Sequence, residues 1–196
     1  MTKVLTFKVE IDGLEDKIWR KIEITDRRTI ADLAYTILAS FDSLAYHLYH
    51  IKHGSDTYDC MIESLEFEVD NVKDAVKTKL KDVDFSDKKM VMEYDFGSPT
   101  TFKITYLESR DLEKGNVQNY PYIVDGAGRG MLDDLADFEL KEIVDDIDKK
   151  GFSEHYFTPG YERTIKYDYR KYNIKKDNSV LKELILEIKN GYEIGE

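Results

Sequence analysis

Three histidines, one acidic turn and two unusual arginines are the residues whose chemistry stands out in this chain. His47, His50 and His53 recur at every third position. Imidazoles ligate zinc when two lie one helical turn apart or when a third group converges on them. In an extended segment, His47 and His50 point to opposite faces. His47 and His53 share a face but stand ~20 Å apart at ~3.3 Å per residue. No metal site is expected from this run, which leaves His47 as a lone pocket candidate. The stretch MVMEYDFGSPTTFKITYLES, residues 90–109, reads as two strands joined by Asp95-Phe96-Gly97-Ser98-Pro99. Asp95 is thereby placed at a hairpin mouth, and Gly97 is expected to permit the tight turn. In KIWRKIEI, strict alternation turns Arg20 the same way as Ile18 and Ile22, toward the core. A buried guanidinium is costly unless compensated, and Asp95 or Glu108 are the expected partners. It would serve as a structural ion pair or as an anion-binding group.

GAGRG, residues 126–130, precedes an acidic helical pattern. It lacks the Gly-Lys-Ser/Thr ending of a P-loop and the Rossmann spacing, but its amides and Arg129 are placed to receive an anion. Asp133 and Asp134 follow at the helix start, where negative charge is favoured. The expected ligand pocket therefore gathers Arg20, His47, Asp95, Glu108, Arg129 and Asp133. Between Tyr161 and Lys176, Arg163, Lys166, Arg170 and Lys171 alternate with tyrosines, a mixture that can meet phosphates and bases. The plainer reading is a strand with tyrosines inward. Cys60 has no neighbouring base and reads as an ordinary thiol.

The whole chain limits these readings. Its 196 residues carry a net charge of −11, which opposes nonspecific binding to nucleic acid or anionic membranes. Hydrophobic residues make up 41%, enough for a sizeable core. One cysteine and no apolar run of membrane-spanning length point to a cytoplasmic protein with no membrane partner. No cofactor is expected. Partners are open between protein and nucleic acid.

The elements that must position these residues follow from periodicity. VLTFKVEID alternates with Leu5, Phe7, Val9 and Ile11 on one face; KIWRKIEI alternates again, so the two form a hairpin. Thr29 caps a helix with Asp32 in the capping-box position. YHLYHIK reads as a third strand. This β-β-α-β order resembles a β-grasp unit. Further on, a short helix is expected over 70–81, an extended piece at YPYIVDG, an acidic helix over 131–149 and a weak strand over 161–173. A last helix is expected, capped by Ser179 or Asn178 and stopped by Gly191. The class is α+β with a largely antiparallel sheet, flanking helices and a C-terminal helical extension. Residues 1–150 form the main unit and 151–196 an extension packed on it, a single domain overall.

The pieces IWRKIEI, TIADL, YHLYHI, MEYDFG and YPYIVDGAGRG occur in an order that resembles the plasmid pRiA4b ORF-3-like family, whose members include insertion-element passenger proteins. The resemblance implies the α+β fold and no assigned activity. Typical members continue Y-D-F-G with D-x-W-x-H, where this chain has Ser98, Thr100 and Phe102. They later show Pro-Pro-Glu-Asp, where it has Gly130-Met131-Leu132-Asp133. His47 and Asp95 match. A site built on the family's His, Asp and Glu positions would thus be incomplete here. The favoured expectation is a non-catalytic binding or accessory module. The alternative is a small metal-assisted hydrolase using His47, Asp95 and Asp133; nucleic-acid binding through 161–176 is a third.

Overall fold

A computed structural model describes residues 1–59, 71–113, 115–132, 135–157 and 164–194. Within them, β1 (Lys3–Ile11) and β2 (Trp19–Thr25) form the expected hairpin. α1 (Ile30–Ser40) follows, then β3 (Tyr49–His53), β4 (Asp56–Asp59), β5 (Val72–Asp74), β6 (Lys89–Tyr94), β7 (Thr100–Asp111) and β8 (Tyr122–Ala127). These strands make one mostly antiparallel sheet in the order β5-β4-β3-β6-β7-β1-β2-β8. α2 (Asp137–Lys150), a small β9 (Tyr156–Phe157) and β10 (Ile165–Lys166) ribbon, and α3 (Ile174–Glu193) complete the α+β architecture.

The start of α1 follows from local chemistry. Thr29 accepts from the Asp32 amide, and the Asp32 carboxylate accepts from the Thr29 amide, closing both halves of a capping box. Every residue of α1 is buried. A helix covered all round needs layers on both sides, and α3 supplies one of them. Tyr192 of α3 stacks on Tyr35 at 5.5 Å, and Lys189 reaches Asp32 at 3.3 Å. The sheet supplies the other. Its inward residues Leu5, Phe7, Val9, Ile11, Ile22 and Ile24, with Ile18 just before β2, join α1 in one core.

Several expectations are corrected. The order places β6 and β7 between β3 and β1, so the β-β-α-β segment is part of a larger sheet and its β-grasp likeness is not confirmed. The segment expected to be helical over 70–81 instead contributes β5, parallel to β4, then a turn and a 3-10 turn at Leu80–Asp82. Asp74 ends β5 and opens the turn, its carboxylate accepting from the Val76 and Lys77 amides. The acidic helix begins at Asp137 rather than 131, because Met131 and Leu132 bury themselves in the preceding loop. α3 starts earlier than expected, with Asn173 accepting from the Lys176 amide, and Gly191 lies inside it. Of the weak strand over 161–173, residues 161–163 lie outside the described residues and only Ile165–Lys166 is extended.

Candidate functional site

Arg20 is fully buried on β2. Its partners are carbonyls rather than Asp95 or Glu108. Nε donates to Ser40 O, and Nη1 is directed at the Trp19, Ala127 and Gly128 oxygens, all at 2.9 Å. Ser40 ends α1, so the guanidinium lies against the negative end of the helix dipole. Its plane stacks near Tyr172 at 3.9 Å and Phe41 at 4.7 Å. Burial pulls its pKa down, while Tyr172, Asp177 and Asp42 oppose that pull. Arg20 is in effect a rivet joining α1, β2 and the glycine loop.

The loop is shaped by the same contacts. A Cβ on Gly128, at φ +74°, would sit 2.1 Å from the Lys17 carbonyl oxygen; one on Gly130 would sit 2.1 Å from that of Phe41. Three of its amides are already engaged: Gly126 with Asp125, Arg129 with the Tyr169 carbonyl, and Gly130 with Asp42. Arg129 is buried, with Nε 3.4 Å from Asp42 Oδ2. Tyr167 donates to the Gly130 carbonyl from below at 2.8 Å. Asp177 completes this polar layer. Burial, then the nearby Asp42 charge, pushes its carboxyl up to about 6. Burial likewise pushes the Tyr172 hydroxyl up to about 12.

His47 and Asp95 meet at the hairpin mouth, Nε2 to Oδ2 at 3.7 Å. Asp95 itself takes the left-handed conformation, φ +59°, and its carboxylate accepts from the Gly97 amide at 3.0 Å. The turn's strain is thus carried by Asp95, whereas Gly97 keeps a Cβ position 3.4 Å from Asp95 Oδ1. The other histidines are elsewhere. His50 stacks on Phe96 at 5.0 Å, and His53 is buried with each ring nitrogen facing a backbone carbonyl, those of Lys89 and Asp84. Glu108 is exposed on β7 opposite Thr6, roughly 25 Å along the strand from the mouth at ~3.3 Å per residue. Asp133, Cys60 and Arg163 lie outside the described residues. Among the described residues no three His, Cys, Asp or Glu side chains converge as metal ligands.

The basic segment is internally compensated. Arg170 forks onto Asp168 at 2.8 and 3.0 Å and also donates to the Gly151 carbonyl. Lys166 lies 3.8 Å from Glu154 and over the Phe152 ring. Tyr167 is buried, and Lys171 is exposed.

A groove that periodicity did not reveal runs between α1, α3 and the start of β8. It encloses about 240 Å³. Ile24, Pro121, Ile185 and Leu186 give it an apolar lining; Arg28, Lys182 and Lys189 supply cations, against Asp32 as the lining carboxylate. Lys182, Ile185, Leu186 and Lys189 are spaced three, four and seven apart, so one face of α3 presents them together. That spacing was the available signal. The opposing wall comes from residues distant in sequence.

Comparison with known proteins supports the fold. The crystal structure of MM3350 from Methanosarcina mazei Go1, a protein of unknown function, superposes with a TM-score of 0.65 at 23% identity, over 79% of this chain and 84% of that one. At that identity the likeness is one of fold. No curated protein matches. No described helix is long and apolar enough to cross a membrane. The family model for plasmid pRiA4b ORF-3-like proteins matches residues 3–176, nearly the whole α+β body whose sheet and glycine loop are described above, and the chain belongs to that family.

Proposed function

We propose that this chain is a non-catalytic binding module and that the groove between α1 and α3 is its binding seat. The observation that carries this reading is the groove itself, a concave apolar surface with a few convergent charged groups, the usual form of a small-ligand site. Several of the other candidate groups are held by contacts within the fold. Nε and Nη1 of Arg20 are spent on carbonyls, Arg129 lies against Asp42, and the Gly126, Arg129 and Gly130 amides are engaged. The metal-assisted hydrolase reading has one observation in its favour, the approach of His47 to Asp95. A small-fragment screen read by amide chemical shifts separates the two. Shifts gathered at residues 28–36, 120–121 and 182–189 are the expected result. Shifts confined to His47, Asp95 and their neighbours, or no shifts at all, would overturn the binding-seat reading.

A further inference from the structure

Resting on that reading, we infer that the groove takes an amphipathic monoanion of about ten non-hydrogen atoms, with its carboxylate at Lys182 and its apolar tail along Ile185, Leu186, Ile24 and Pro121. The size follows from volume. A ~150 Å³ apolar cavity takes benzene, and by proportion 240 Å³ holds about ten atoms.

The charge follows from how each cation is already used. Lys182 and Lys189 lie ~10.5 Å apart along α3 at ~1.5 Å per residue, so the groove has two cationic ends. At one end, Lys189 lies 3.3 Å from Asp32 and 3.5 Å from Glu193, and Arg28 lies 3.9 Å from Asp32. That end is neutralised. At the other end, Lys182 Nζ donates to the Gln118 carbonyl, and no described carboxylate lies within ion-pair reach of it. Lys182 is therefore the cation whose charge an incoming carboxylate would meet, on a protein whose overall field repels anions. The strip between the two lysines is Ile185 and Leu186, so apolar atoms beyond the carboxylate meet apolar partners there, with Thr36 and Tyr120 as the uncharged polar residues of the lining.

The α3 wall is residues 182–189, beyond the 3–176 span that the family model matches. The ligand is accordingly assigned to this chain's own groove rather than to the family at large.

The test uses the full chain and three probes of matched length: octanoate, octanamide and suberate, titrated by calorimetry against wild type, Lys182→Met and Lys189→Met. Octanoate is expected to bind wild type about tenfold more tightly than octanamide, the worth of one charged hydrogen bond. Added salt should weaken octanoate and leave octanamide unchanged. Lys182→Met should erase the preference for octanoate, and Lys189→Met should keep it. Lys182 is exposed, and unchanged thermal melting of Lys182→Met verifies that the fold is intact. Equal binding of octanoate and octanamide overturns the anion assignment while leaving the groove as a binding seat. Tighter binding of suberate overturns the single-head assignment. Failure of every probe to bind overturns the ligand class, and the fragment screen above then decides whether the seat itself survives.

Discussion

Replacing Arg20 by methionine tests the claim that this residue is a structural rivet. The substitution keeps most of the apolar stem and removes four donor contacts at 2.9 Å. The Ser40 and Gly128 carbonyls are in fully buried surroundings, and each buried acceptor left unmet costs about 1–3 kcal/mol. Loss of stacking on Tyr172 and Phe41 adds roughly 1 kcal/mol. Against this, the cost of burying a guanidinium without a carboxylate disappears, which returns part of the loss. The expected net destabilisation is about 4 kcal/mol, comparable to breaking a buried charged network. For a chain of this size, 1 kcal/mol moves Tm by about 2–4 °C, so Tm should fall by roughly 8–16 °C in a calorimetric scan. Arg20→Lys should lose nearly as much, because an ammonium cannot fork toward α1 and the loop together. If Arg20→Met melts within about 2 °C of wild type, a shift worth no more than ~1 kcal/mol, the carbonyl contacts contribute little and the reasoning fails.

Other outcomes follow from neighbouring contacts. Asp177, raised to about 6 from an ordinary 3.8, is more easily ionised in the unfolded chain, so its stabilising contribution is full below about pH 4 and is lost as pH rises through 6. Asp177→Asn should therefore flatten the pH dependence of urea unfolding between pH 4 and 7 and raise stability at neutral pH, by on the order of 3 kcal/mol at most. Gly130→Ala, with backbone 2.1 Å from its Cβ, should destabilise by more than about 3 kcal/mol; Gly191→Ala, in open space within α3, should stabilise by about 0.5–1 kcal/mol. Asn178 binds both the amide and the carbonyl of Ile123 on the sheet's β8 edge, at 2.9 and 2.8 Å. Asn178→Ala should cost about 1–2 kcal/mol and promote self-association detectable by light scattering. A variant that stays monomeric at all concentrations would count against edge protection.

What could be read from the sequence was local. The β1–β2 hairpin and the Thr29–Asp32 box are specified by adjacent residues, so alternation and cap chemistry suffice. Residues 70–81 misled because Val72, Val76 and Leu80 have helical spacing, while the turn made by Asp74 and the pairing of Val72 with Thr57 prevail. Asn178 looked like a cap because Asn and Ser favour that position. Its side chain is instead drawn to a strand edge 55 residues away. Arg20's inward direction was legible from parity. Its partners were not, since a backbone carbonyl carries no side-chain signature and those of Ser40 and Gly128 arrive only through tertiary folding. The groove was hidden for the same reason. One wall is an amphipathic helix face that reads as surface, and the other joins Ile24, Arg28 and Pro121 from separate elements.

A crystal structure grown with octanoate tests the central claim most directly. The ligand should lie between α1 and α3, its carboxylate within hydrogen-bond distance of Lys182 Nζ, and that lysine should be released from the Gln118 carbonyl. An empty groove, or the ligand bound beside His47 and Asp95 instead, would contradict it.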